Sequence, residues 1–161
     1  MTIRPARNVD YAVIRAVVAA AFGRDDEAAI VEGVRAEGAA LVELVAEEAG
    51  EIVGHVLFSR MGADPARFVA GLGPLAVRPD RQGSGVGTAL SMAGIAALGD
   101  LGVEAVVVLG HPDYYPRFGF SAKAARTLTS PYSGRPAFMA MALKPGALDQ
   151  PLKVDYPAAF D

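Results

Sequence analysis

Three pieces follow one another in Leu75-Ala-Val-Arg-Pro-Asp-Arg-Gln-Gly-Ser-Gly-Val-Gly-Thr-Ala-Leu90. Leu75 to Arg78 reads as the end of a β-strand, Pro79 to Gln82 as a polar turn, and Gly83, Ser84, Gly85, Val86 and Gly87 as a glycine-rich entry to an amphipathic helix. Glycines at these spacings let the backbone come close to a ligand and adopt φ values that other residues avoid. The first N–H groups of a helix have no partner within it and sit at the positive end of its dipole. A strand that feeds such a turn is a site for a phosphate or pyrophosphate.

Spacing narrows the choice of ligand. A P-loop places Lys after its last glycine, whereas Thr88 follows Gly87 here. A dinucleotide-binding turn reads G-x-G-x-x-G directly after the first strand of its domain. Here the glycines read G-x-G-x-G, in mid-chain, four polar residues after the strand.

The pattern Gln82-x-x-Gly85-x-Gly87, preceded by Val77-Arg78-Pro79, resembles the acyl-CoA-binding motif of the GNAT family of N-acetyltransferases. A second match is Tyr115-Pro-Arg-Phe-Gly-Phe120, like the family's Tyr, three variable residues and Gly-Phe. Leu72-Gly-Pro-Leu-Ala-Val77 and Val108-Leu-Gly-His-Pro-Asp-Tyr-Tyr115 look like the YhbS-like branch of that family. The resemblance spans nearly the whole chain. It implies one α/β (α+β) domain over residues 1–161, with a mixed sheet of about seven strands and about four helices. The parallel strands would splay to make a slot for coenzyme A. It also implies acetyl-CoA as cosubstrate, bound by Leu75, Ala76, Val77, Gln82, Gly83, Ser84, Gly85, Val86, Gly87 and Thr88. Tyr115 would be the general acid, and a small-molecule or peptide amine the acceptor.

Working outward, Thr2 to Arg4 is a strand candidate, and Asn8 reads as the cap of a helix carrying Ile14, Val17, Val18, Ala21 and Phe22, ended by Gly23. A second helix opens at Asp25-Asp26-Glu27, buries Ile30, Val31 and Val34, and stops at Gly38. Leu41 to Ala46 and Ile52 to Ser59 read as a hairpin, Met61 to Ala66 as a loop. A long strand lies within Arg67 to Arg78, interrupted by Gly71, Gly73 and Pro74. The helix after the glycine turn shows a stripe of Val86, Ala89, Leu90, Ala93, Ala97 and Leu101, with Gly99 and Gly102 ending it. Val103 to Leu109 is the run of a strand buried on both faces. Strand, helix and strand make a βαβ unit with a right-handed crossover. Asp113 to Arg117 reads as a short helical turn, Ser121 to Arg126 and Ala137 to Leu143 as strands, and Tyr156 to Phe160 as a tail or last strand.

Composition sets bounds on partners. A net charge of −3 offers no footprint for nucleic acid, and the absence of cysteine excludes disulfides and thiolate chemistry. No apolar run is long enough for a membrane span, so a cytoplasmic monomer or homodimer is expected. A general base is not evident, because Phe68 to Val77 contains no acid. His111 and Asp113 lie near Tyr115, and His111 reads equally as a proton carrier or as a turn residue. His55 reads as structural, and Asp25, Asp26 and Glu27 read as dipole partners of their helix. The missing carboxylate keeps an alternative open, a catalytically idle acyl-CoA-binding or sensing module.

Overall fold

The computed structural model describes residues 1–161. Eight strands and three α-helices form, in the order β1 (Thr2–Pro5), α1 (Tyr11–Phe22), α2 (Asp26–Ala36), β2 (Ala40–Glu48), β3 (Glu51–Asp64), β4 (Val69–Val77), α3 (Val86–Leu101), β5 (Ala105–Leu109), β6 (Leu128–Thr129), β7 (Phe138–Ala142) and β8 (Leu152–Asp155). The expected fourth helix, after β5, is a single 3-10 turn at Tyr115–Phe118. No helix is long and apolar enough to cross a membrane.

The main sheet runs β1-β2-β3-β4-β5-β7. Its neighbours are antiparallel except β4 and β5, which are parallel and joined through α3. β2 and β3 meet at Ala49-Gly50, both with positive φ (51° and 79°), as a tight two-residue hairpin turn requires. β4 pairs with β5 only from Val69/Ala105 to Leu72/Val108. Beyond Leu72, β4 stays with β3 through Val77, so the two parallel strands part at their C-terminal ends. Gly73 stands at that point with φ +141°, a conformation closed to most side chains.

α3 covers one face of the sheet. Its ridge of Val86, Leu90 and Leu98 seals Val53, Val56, Phe58, Ala70, Leu72, Val106 and Val108. On the other face α1 covers Val45, Ile52 and Ala76, and α2 covers Leu57. The segment after β5 covers Met61, Val69, Ala105 and Val107.

Several expectations are corrected. Asn8 starts a 3-10 turn and caps nothing; Asp10 instead accepts the Arg7 amide and binds Arg4, ordering the entry to α1. Met61 to Ala66 is mostly strand, because β8 supplies partners for Gly62, Ala63 and Asp64. Ser121 makes one isolated bridge to Ala140, and the chain then turns through a 3-10 helix at Ala124–Thr127. The last strand precedes Tyr156, which leads into a 3-10 turn at Ala158–Phe160. Gly99 lies inside α3; Gly102, with φ +85°, ends it. Leu98 is buried in place of Leu101, which is 52% exposed.

Candidate active site

The site grows from the turn between β4 and α3. Gly85, with φ +90°, is the residue before the helix, and no side chain caps it. The first helical bond runs from the Ala89 amide to the Gly85 carbonyl. None of the amides from Gln82 to Thr88 donates to a main-chain carbonyl. They therefore stand as a row of free donors at the positive end of α3. The Gln82 side-chain amide donates to the Val77 carbonyl at 3.0 Å, tying the turn back to the strand.

Strand alternation supplies more donors. The Arg78 amide donates to Val53 on β3. Ala76 then also faces β3, and the amides of Leu75 and Val77 face the gap left by β5. No protein strand pairs with Leu75 to Val77 on that side.

A cleft of about 530 Å³ lies over this row. Leu75, Val77, Gln82, Gly83, Gly85, Val86, Gly87, Thr88 and Tyr115 all line it. Two expected residues do not. The Ala76 side chain is buried under α1, and the Ser84 hydroxyl turns back to donate to the Arg81 carbonyl at 2.5 Å. Ala21, Phe22, Arg81, His111, Tyr114 and Arg117 also line the cleft. The two arginines bring positive charge to it, Arg81 partly offset by Glu48 at 2.8 Å. Sequence spacing did not carry that signal, since Arg81 stands just before the Gln82 motif and Arg117 fills a variable position of the Tyr-x-x-x-Gly-Phe motif.

Tyr114 and Tyr115 come from the turn after β5, whose first residue, His111, accepts both their amides. Tyr115 is 8% exposed. Its ring lies against Gly110, where a Cβ would overlap it, and edge-on to Phe120. Burial, with the neighbouring Tyr114 hydroxyl adding to it, pushes the Tyr115 phenol up to about 12. Tyr114 instead shares a 3.0 Å hydrogen bond with the Thr88 hydroxyl, and the Arg117 guanidinium stacks 4.2 Å from its ring centre.

His111 is exposed at the cleft, so it is both the turn residue and a group facing the site. Asp113 lies outside the cleft lining. His55 is buried completely and lies 2.8 Å from the Glu43 carboxylate, with Arg35 on the same acid, away from the cleft. Glu27 and Asp26 meet Arg24, and neither reaches the cleft. No carboxylate lines it.

The arrangement offers a row of amides and two arginines for a polyanion, a gap in the sheet for an extended arm, and a phenol at the gap's mouth. The acetyltransferase (GNAT) family profile matches residues 13–120. The uncharacterized N-acetyltransferase YjhQ of Escherichia coli K12 is 41% identical over 116 residues. That match covers 69% of this chain but only 64% of YjhQ, less than two thirds of its length. The uncharacterized N-acetyltransferase YhbS of the same strain is 34% identical over 83% of this chain and 81% of its own. The crystal structure of E. coli YhbS in complex with CoA superposes with a TM-score of 0.90 at 32% identity, over 99% of this chain and 91% of that one. A Brucella melitensis GNAT acetyltransferase in complex with acetyl-CoA superposes with a TM-score of 0.84 at 38% identity, over 99% and 97%.

Proposed function

The chain belongs to the GNAT family of acetyltransferases, and from that premise we propose that it transfers the acetyl group of acetyl-CoA to a primary amine by direct attack on the thioester. The row of free amides from Gln82 to Thr88 carries the reading. A pyrophosphate there would meet backbone donors and the helix dipole together, with Arg81 and Arg117 at hand for further phosphate charge. The pantetheine arm would take the place of a strand beside Leu75 and Val77. Relatives crystallised with CoA and acetyl-CoA support the ligand.

The transfer forms one C–N bond and breaks one C–S bond. A proton must leave the nitrogen and another must reach the sulfur. Amides at the gap stabilise negative charge on the thioester oxygen where it develops. Tyr115 is the proposed acid. At neutral pH its phenol keeps its proton. Transfer to a thiolate, whose conjugate thiol has a pKa of about 8.5, is uphill for so weak an acid. The hydroxyl therefore acts by hydrogen-bonding the sulfur as its charge grows, and the proton released by the amine restores the balance. His111, exposed at the cleft, is placed to relay that proton from the nitrogen through water to the sulfur.

One observation favours a second reading. With no carboxylate on β4 or in the cleft, an idle acyl-CoA-binding module would look the same. Incubation of the protein and acetyl-CoA with a library of amines separates the two. Free thiol should appear with at least one amine. CoA binding without thiol release from any of them would select the binding module.

A further inference from the structure

A second cavity, of about 400 Å³, lies outside the cleft. Leu128 and Phe138 form part of its floor, Arg126 and Arg135 its rim, and no Asp or Glu lines it. Arg4, Arg15, Arg24, Arg35, Arg78 and Arg81 each meet a carboxylate. Arg126 and Arg135 meet none; Arg135 only stacks on Tyr132, 5.3 Å from its ring centre. In a chain of net charge −3, two cations without acids over an apolar floor make a local anion site.

Its place in the fold ties it to the reaction. Phe138 pairs with Leu109, the residue before the Gly110 shelf on which Tyr115 lies. Phe138 belongs to the core on the face opposite α3. The cleft is bordered by α3 on one face and by Ala21 and Phe22 of α1 on the other, so it reaches through the gap to the face on which the cavity lies. A row of aromatic rings on that face, Tyr156, Tyr132 and Phe138, forms a wall from Gly71 of β4 to the cavity. Tyr156 Cε1 lies 3.8 Å from where a Cβ on Gly71 would stand, one residue before the last paired rung at Leu72. Tyr156 meets Tyr132 edge-on at 5.4 Å, and Tyr132 carries Arg135. The buried Tyr156 hydroxyl has no partner, leaving a free polar group along the wall.

We propose that the acceptor amine carries an anionic group, a carboxylate or a phosphate, held by Arg126 and Arg135 at the far end of this wall. The proposal rests on the acetyltransferase reading and adds the substrate class to it. Contacts of 5.4 and 5.3 Å place the Arg135 guanidinium on the order of 10 Å from the Tyr156 ring, so the proposed acceptor separates amine and anion by a long spacer.

The test measures thiol release from acetyl-CoA with three matched series, ω-amino carboxylates, ω-aminoalkyl phosphates and plain alkylamines. Wild type is compared with Arg126→Gln, Arg135→Gln and the double variant. Binding of acetate and inorganic phosphate is followed in parallel by calorimetry. Anionic amines of the longer spacing should exceed neutral ones in kcat/KM about 10-fold or more, through KM. Each single substitution should lower that advantage about 10-fold, as the loss of a charged hydrogen bond does. The better of the two anionic series identifies the group. Equal turnover of neutral and anionic amines, or a preference that survives the double substitution, overturns the proposal and leaves acetyl transfer standing. Failure to turn over any amine sinks acetyl transfer instead. Calorimetry then decides the anion site alone: probe binding abolished in the double variant supports it, and absent or unaltered binding overturns it.

Discussion

Tyr114 and Tyr115 are adjacent in the chain, yet their hydroxyls have different work. The Tyr114 hydroxyl is bonded to Thr88 at the start of α3. The Tyr115 ring is buried, and no protein group bonds its hydroxyl. Tyr115→Phe should lower kcat by about a hundredfold to a thousandfold, the usual worth of one positioned hydrogen-bond donor to developing charge, with little change in acetyl-CoA affinity. Because burial holds the phenol near 12, the acid form persists and wild-type kcat should show no alkaline fall up to pH 10. Tyr114→Phe removes a hydrogen bond worth about 1 kcal/mol, so it should weaken acetyl-CoA binding several-fold and spare kcat. Steady-state kinetics with calorimetry would reverse the assignment if Tyr114→Phe proved the damaging change. The Tyr-x-x-x-Gly-Phe spacing made Tyr115 legible in the sequence. The bond of Tyr114 to Thr88 was not, because it joins residues 26 apart in the chain.

At the scale of the element, α3 shows where periodicity stops informing. Almost every residue from Val86 to Leu98 is apolar or small, so several stripes fit the same sequence. The sheet selects the one of Val86, Leu90, Gly94 and Leu98, four residues apart, because Phe58 of β3 rises against Gly94. A Cβ at Gly94 would overlap the Phe58 ring. Helix propensity alone makes Gly→Ala favourable by about 1 kcal/mol. Overpacking a rigid core costs about 1–3 kcal/mol. Gly94→Ala should therefore lower the thermal midpoint despite its better propensity. A raised midpoint in calorimetry would show that the ring yields and that the contact is loose. The same limit explains β3. Gly62, Ala63 and Asp64 are poor strand formers by composition, and become strand only through pairing with β8. Short local pattern cannot foretell a partner some ninety residues away.

Across the whole molecule, Glu43 joins the helices to the sheet. This residue of β2 accepts hydrogen bonds from Arg35 of α2 and lies 2.8 Å from His55 Nε2 of β3. Arg35 in turn stacks 3.7 Å from the ring centre of Tyr11 in α1. Burial pushes the Glu43 carboxyl up, but the hydrogen bonds of His55 and Arg35 outweigh it and bring it from 4.5 to about 2. Asp10, held by Arg4, is also lowered to about 2. A carboxyl lowered in the folded state stabilises fully above its unfolded value and loses that contribution as pH falls through the folded one. Thermal midpoints should hold above pH 4.5 and drop between there and pH 2. Glu43→Gln leaves Arg35 and His55 without their carboxylate and should cost about 3 kcal/mol at neutral pH, with a shallower acid decline. An unchanged midpoint and acid slope would remove Glu43 as the link. By itself the sequence determined the strand, the glycine turn, the helix that follows, the βαβ unit and the position of Tyr115, because steric limits on φ and ψ, free helix-end amides and side-chain periodicity act within a few residues. Only the tertiary structure decided that β4 and β5, whose splay the family resemblance already implied, part just after Leu72 and Val108, which face of α3 is buried, that β3 runs on to meet β8, and that Arg126 and Arg135 rim a cavity on the face opposite α3. Each depends on contacts between segments far apart in the chain, whose pairing is selected by the packing of the whole.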